Sequence, residues 1–288
     1  MSDIEQPAHC FIPGWDLLAE GDYREGWIAY DQRTTRLRLA ERLKHIPEWN
    51  GEDLRGRRVM VWGEQGLGDE IMYARFIRKL YEYGADRVVV ACLPANIRLF
   101  EQIGVELVVD RTQPSFRAPQ PHYWVMLGSL PRRMGVDLGN LNGDAYFKTE
   151  AKDVGGVGVA WRGNPDNRRD HLRSLPSGDA LLQLPGAREL VAHGDMLDSL
   201  NQVSRCDLVV TVDTSWAHLA GALGKPVWIL LGAEGVDWRW GREGFQTPWY
   251  SSARLFRQQT PGDWGPVVEL VRAELSQAPP REHCPARR

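Results

Sequence analysis

Between Leu208 and Gly232 the chain reads LVVTVDTSWAHLAGALGKPVWILLG, a run that admits few folds. Leu208 to Val212 is apolar and β-branched, as in a strand buried in a parallel sheet, whereas Trp216 to Leu223, rich in Ala and Leu, suits a short packed helix. A second apolar stretch follows at once. The run therefore predicts strand, polar elbow, helix, strand. Asp213, Thr214 and Ser215 make the elbow, at a strand's carboxyl end and a helix's amino end, where α/β sheets bind ligands. Unpaired amides and the positive end of the helix dipole favour a phosphate or another anion there. The same residue types are preferred helix caps in any protein, so the elbow alone leaves capping and ligand binding evenly balanced.

At 288 residues and 43% hydrophobic composition, the chain has enough apolar material for one large core or two ordinary ones plus a small appendage. A net charge of −3 implies no nucleic-acid partner. Five lysines stand among 35 Lys and Arg, so the basic residues are mostly arginines, whose planar fork holds phosphate bidentately. Cys10, Cys92, Cys206 and Cys284 are far apart and form no CxxC pair, which argues for a reducing compartment and against structural zinc. No apolar stretch approaches the roughly 18 residues of a membrane span, and the first residues lack signal-peptide character. A cytoplasmic protein is expected.

Periodicity divides the chain into an N-terminal helical hairpin (1–55), two α/β units (56–149 and 150–276) and a Pro- and Arg-rich tail expected to be disordered (277–288). In the hairpin, two helices joined at Gly21-Asp22 share an apolar seam of Leu17, Leu18, Trp27 and Tyr30. The pattern resembles a single tetratricopeptide unit, and one unit is too short for a peptide groove, so capping of the next domain is the favoured role. The first α/β unit begins with a strand at Arg57 to Gly63 and a helix from Asp69 to Gly84. Further strands are expected at Arg87 to Cys92, Val105 to Val109 and Tyr123 to Leu127, with a helix around Ala95 to Ile103. The second unit has strands at Gly155 to Trp161, Asp207 to Val212, Pro226 to Leu231 and Arg254 to Phe256, and a closing helix at Asp263 to Leu275. Two tandem units leave a cleft between them, a usual place for small ligands.

Three segments carry candidate chemistry. GEQGLGDE, Gly63 to Glu70, lets the backbone approach a ligand and places Asp69 at a helix amino end, with Gly66 and Gly68 before it. It matches neither GxGxxG nor GxxxxGKS, and taken alone a tight turn capped by Asp69 is the favoured reading. WRGNPDNRRDHLRSLP, Trp161 to Pro176, puts arginines in a polar loop at a strand's carboxyl end, which suits an anion site; a solvated loop is the alternative. His218 lies one helical turn past the elbow and is placed to face the same ligand as Thr214 and Ser215, although a lone His in an apolar helix is more often a satisfied core residue. In Gly232 to Tyr250, tryptophans and tyrosines interspersed with Arg suit stacking on a sugar or base, or else plug the loop onto its domain.

Taken in order, GEQGLGDEIMYARF, VGVAWRGNP, LVVTVDTSWAHLAGALGKPVW, DWRW, TPWYSSARLFRQ and GDW resemble the catalytic module of bacterial tetratricopeptide-linked glycosyltransferases. These are similar in turn to the family 9 heptosyltransferases and, more distantly, to the family 41 O-linked N-acetylglucosamine transferases. The resemblance implies a GT-B fold, in which two Rossmann-like domains face a cleft, the nucleotide-sugar donor sits mainly on the second domain, the acceptor sits on the first, and no metal or cofactor is needed. By position it implies Asp69 as general base. Asp213, Thr214, Ser215 and His218 match the donor diphosphate elbow, and Arg162, Asn164 and Arg173 are candidates to stabilise the departing diphosphate. Gly66, Gly68, Trp238 and Arg239 complete the candidate donor site. The function implied is an inverting, metal-independent transfer to an unidentified acceptor: a peptide or protein, a glycan or a small molecule. Between Leu175 and Asp198 the chain is shorter than the family leads one to expect, which leaves a non-catalytic nucleotide- or partner-binding homologue as an alternative; a nucleotide-sugar epimerase, another enzyme of the same fold that needs no acceptor, is the other.

Overall fold

The computed structural model describes residues 13–277. Cys10, Cys284 and the tail expected to be disordered from residue 278 onward lie outside the described residues, whereas Gln277 closes the last helix. Helices α1 (Pro13–Glu20) and α2 (Tyr23–Tyr30) form the hairpin. Gly21 turns the chain at φ +88°, and the Asp22 carboxylate caps α2 by accepting the Glu25 N–H at 3.2 Å. Leu18, Trp27 and Tyr30 of the seam are buried, and Leu17 is half-buried. A third helix, α3 (Thr34–Arg42), continues the region and was not separated in the sequence.

The first sheet contains β1 (Arg58–Trp62), β2 (Arg87–Cys92), β3 (Leu107–Asp110) and β4 (Tyr123–Met126), parallel and in the order β3-β2-β1-β4. Its crossovers carry α4 (Leu67–Ala74), α5 (Lys79–Glu82) and α6 (Ile97–Glu101), and α7 (Leu130–Arg133) follows β4. A single helix was expected from Asp69 to Gly84. Instead the chain tightens after Ala74, with Phe76 and Ile77 donating to the carbonyls three residues back. Arg75 at that break turns inward, donates Nε–H to the Met72 carbonyl and lies over the Tyr146, Trp249 and Tyr250 rings.

The second sheet contains β5 (Val157–Ala160), β6 (Ala187–Glu189), β7 (Leu208–Val212), β8 (Val227–Leu231) and β9 (Ala253–Arg257), also parallel. Short α8 (Asp179–Leu182), α9 (Met196–Ser204), α10 (Ser215–Ala222) and α11 (Gly265–Gln277) complete it. The sheet order is β6-β5-β7-β8-β9. Counted within the unit this is 2-1-3-4-5, a doubly wound order whose switch point lies between β5 and β7. Three-residue β6 pairs directly with β5 and forms a very short edge strand.

The fold is α/β, two parallel units facing one cleft, as expected. One continuous apolar core runs through both units and the hairpin, including Trp27, Val61, Ile71, Ala217, Leu219 and Trp249. The hairpin is anchored on the second unit by aromatic edges. Trp27 meets Trp238 at 5.4 Å and Trp249 at 6.3 Å, and Trp249 Nε1–H donates to the Tyr23 hydroxyl at 2.9 Å. Each such ring pair contributes about 0.5–1.5 kcal/mol beyond its buried area. A second core lies behind the second sheet, where α11 packs Val267, Val268 and Val271.

Candidate functional site

The carboxyl ends of β1, β5 and β7 open onto one cleft of about 1090 Å³. One wall comes from the first unit and carries Gly66, Gly68, Asp69 and Leu93; the other carries Arg162, Asn164, Arg173, Asp213, Thr214, Ser215, His218 and Arg239. The switch point of the second unit, between β5 and β7, therefore faces the loops that follow β1 and β2 of the first.

At the elbow, Thr214 is extended (φ −144°, ψ 178°) and its hydroxyl accepts the Trp216 N–H at 3.3 Å, while Ala217 N–H reaches the Thr214 carbonyl at 3.0 Å. Capping and exposure to the cleft coexist here, because Thr214 caps the helix while Ser215 and the first turn face the open volume. Arg173 ties the preceding loop to the elbow: Nη1–H donates to the Asp213 carbonyl and Nε–H to Asp170 Oδ1, each at 2.9 Å. Ser174 completes the brace by donating to Asp170 Oδ2 at 2.7 Å and accepting the Gly163 N–H at 2.9 Å. Arg162 is exposed and lies 4.7 Å over the Trp161 ring.

Asp69 and Arg239 join the walls. The Asp69 Oδ2 atom accepts the Gly66 N–H at 2.9 Å, closing the first turn of α4, and Oδ1 accepts from Arg239 Nη2. Arg239 is buried and donates also to Asp237, from Nε at 2.8 Å and Nη2 at 3.1 Å, and to His218 Nε2 at 3.3 Å. Arginine only donates, so His218 Nε2 must accept and its Nδ1–H donates to the Tyr250 hydroxyl at 2.8 Å. Burial drives the His218 pKa well below 6.5, reinforced by the positive charges of Arg239, Arg75 and Arg173, so the ring is neutral. Burial likewise pushes Asp213 up to about 6, the Asp237 charge adding to it and Arg239 and Arg173 opposing.

Gly68 is where the walls meet. A Cβ there would lie 2.5 Å from His218 Cδ2, so only glycine allows α4 and α10 to approach this closely. His218 is thus both a satisfied, buried residue stacked on Trp240 at 5.4 Å and part of the cleft lining.

The cleft gathers every candidate except Trp238. That residue is buried between Tyr23, Trp27, Tyr30 and Trp249, where the hairpin needs an apolar anchor, and does not line the cleft. Trp240, Trp249 and Tyr250 are also buried, so the aromatic loop fastens the hairpin and the two units together. Asp237, which orients Arg239, was missed, although it opens the DWRW block. Glu189, which accepts Trp161 Nε1–H at 3.0 Å and lines the cleft from short β6, was missed with the strand itself. Among the described residues no helix is long and apolar enough to cross a membrane, and no cluster of three or more His, Cys, Asp or Glu is placed to hold a metal ion. Cys92 and Cys206 are buried free thiols.

The fold belongs to the class of two-unit α/β proteins with a cleft between the carboxyl ends of their parallel strands. No protein-family model matches the chain. Protein FlbA of Caulobacter vibrioides is 29% identical across 90% of this chain and 53% of its own length, so the chain spans about half of that curated relative. Among solved structures, Escherichia coli ADP-heptose lipopolysaccharide heptosyltransferase II aligns over 76% of this chain and 99% of its own, at 17% identity and a TM-score of 0.46. A family 9 glycosyl transferase from Veillonella parvula aligns over 73% of this chain and 88% of its own, at 13% identity and a TM-score of 0.44.

Proposed function

We propose that this protein is an inverting glycosyltransferase that moves a sugar from a nucleotide-sugar donor to an acceptor hydroxyl or amide without a bound metal. The observation that carries this reading is the pairing of walls: a carboxylate, Asp69, faces a helix amino end and arginines across a single cleft. Such a transfer needs a base for the acceptor proton and preorganised donors for the charge on the departing diphosphate. In this reading Asp69 takes the proton as the acceptor oxygen or nitrogen bonds to the sugar's anomeric carbon. The bond from that carbon to the diphosphate breaks on the opposite face. The amides at Ser215 and the guanidinium groups of Arg162 and Arg173 receive the leaving group, with Asn164 and the Thr214 hydroxyl beside them.

Asp69 acts as a base only with an oxygen released from Arg239. A diphosphate at the elbow is the anion that would compete for that guanidinium, which makes donor binding the step that frees the base. The same contact favours a second reading, a nucleotide-binding homologue without turnover, in which Arg239 never lets go. Incubating the full chain with UDP-, GDP-, ADP-, TDP- and CMP-sugars, with peptide, glycan and small-molecule acceptors, separates the two. Sugar transfer supports the first reading, and nucleotide binding with no transfer supports the second. A cytoplasmic setting, where nucleotide sugars are made, fits the proposal.

A further inference from the structure

The switch point of the first sheet is filled by buried side chains, one of which comes from the hairpin. Strand order reverses between β1 and β4, which is where an open α/β sheet leaves room beyond its strand ends. Glu64, two residues past β1, places its carboxylate there. Oε1 accepts the Gly128 N–H at 3.1 Å, and a Cβ on Gly128 would stand 2.7 Å from the same oxygen.

The partner of Glu64 is Arg33, from the turn between α2 and α3. Its Nε–H donates to Glu64 Oε2 at 2.6 Å, and Nη2 donates to Glu64 Oε1 and, at 2.9 Å, to the Ser129 hydroxyl. Nη1 donates to the Tyr30 carbonyl and to Asp31 Oδ1, each at 3.1 Å. Every guanidinium N–H is therefore used, in a site where both ionic partners are buried.

The next residues of the loop are held just as closely. Gln65 has φ +59° and is the only non-glycine at positive φ among the described residues. Such a conformation persists where its surroundings over-determine it. Here the Gln65 amide donates to the Tyr30 hydroxyl at 2.5 Å, and Arg111 Nη2 donates to the Gln65 carbonyl at 2.8 Å. Glu70, on the far side of Asp69, accepts from Arg111 Nε at 2.7 Å, Asn96 Nδ2 at 2.8 Å and Leu93 N at 2.9 Å. Asp69 thus lies between two buried carboxylates, each locked by an arginine.

We infer that Arg33 is a positioning residue for Asp69, and that the helical hairpin is a working part of the acceptor wall. Through Arg33 and Tyr30 it fixes the Gly63 to Glu70 loop, and through Trp27 and Tyr30 it packs on Trp238, next to the Arg239 that holds Asp69 from the opposite wall. This inference deepens, and rests on, the reading of Asp69 as the base.

The test compares Arg33→Lys, which keeps the charge and loses the fork, with Glu64→Gln and the milder Tyr30→Phe, all in the full chain. Hydrogen exchange is followed by mass spectrometry over residues 63–72 and 208–222, and kcat and KM are measured with whichever sugar of the UDP, GDP, ADP, TDP and CMP series the wild type turns over. The expected result is exchange about tenfold faster across 63–72 with 208–222 unchanged, and kcat about tenfold lower with donor KM held within about twofold. Tyr30→Phe moves both readouts in the same direction by less, and carries the test should Arg33→Lys fail to fold. Unchanged exchange across 63–72, or a loss of kcat matched by a rise in donor KM, overturns the inference. A wild type that turns over none of these donors ends the glycosyl-transfer reading, while the exchange experiment still decides whether Arg33 fixes the loop.

Discussion

Arg239 of the second unit donates to the Asp69 carboxylate of the first, so one buried guanidinium joins the two walls of the cleft. Around it stand Asp237 and His218, both hydrogen-bonded to it, and Asp213, whose pKa burial pushes up to about 6. The account of function turns on what this cluster does when an anion enters.

Asp69→Asn keeps the shape of the loop and removes the base. Transfer is expected to fall by about 10²–10⁴-fold, the usual worth of a positioned general base. Nucleotide binding, read as a rise in melting temperature, should survive. Full turnover in the variant would remove Asp69 from the mechanism.

Gly68→Ala separates packing from helix propensity. In an exposed helix the change gains about 1 kcal/mol, whereas here the new methyl would meet His218 at 2.5 Å. Overpacking of this kind costs about 1–3 kcal/mol. Urea denaturation should show a loss, and a gain would mean that the two walls stand farther apart.

The pH dependence of stability carries two opposing signatures. The folded pKa of Asp213, about 6, lies above the ordinary 3.8, so the folded state holds a proton that the unfolded chain has released; stability from this group falls as pH rises across that window. His218 has its folded pKa well below 6.5, so the unfolded chain takes up the proton first and stability falls as pH drops below 6.5. Asp213→Asn should leave the His218 slope alone and so steepen the acid-side decline. Identical urea midpoints for wild type and variant from pH 4 to 8 would contradict the assignment.

Trp238→Ala tests whether the DWRW aromatics bind ligand or hold the hairpin. Removing a buried tryptophan costs about 3–5 kcal/mol. Chemical denaturation should show that loss while the affinity for a stabilising nucleotide stays within about twofold at a temperature where the variant is folded. Loss of affinity without loss of stability would return Trp238 to the donor site.

Strongly patterned segments were legible in the sequence. β2 occupies Arg87–Cys92 as expected, and the β7 to α10 elbow follows from one apolar run and one cluster of capping residues. β6 has only three residues, too few for alternation to register, and it exists because β5 offers an edge. The helix expected through Gly84 breaks at Arg75, whose side chain lies over the rings of Tyr146, Trp249 and Tyr250, contacts distant in sequence that no local pattern encodes. Gly66, Asp69, Arg173 and the elbow, which the structure brings to one cleft, stood out in the sequence because capping and anion chemistry use recognisable residue types. Trp238 was misassigned for the converse reason: an aromatic beside arginine reads alike whether it stacks on a sugar or seals a core. Arg33 and Glu64 meet only in space, 31 positions apart, and no motif marks them.

The most direct measurement of the central claim is a calorimetric and thermal-shift titration with UDP, GDP, ADP, TDP and CMP, in wild type, Asp69→Asn, Arg173→Ala and Ser215→Trp. A ligand bound only by the folded state raises its stability, by about 2.7 kcal/mol at a hundred times its Kd. The account predicts saturable stabilisation by one nucleotide family, kept in Asp69→Asn, weakened in Arg173→Ala and lost in Ser215→Trp, whose indole fills the elbow. No stabilisation by any nucleotide, or stabilisation that Ser215→Trp leaves untouched, would contradict a donor site at this cleft.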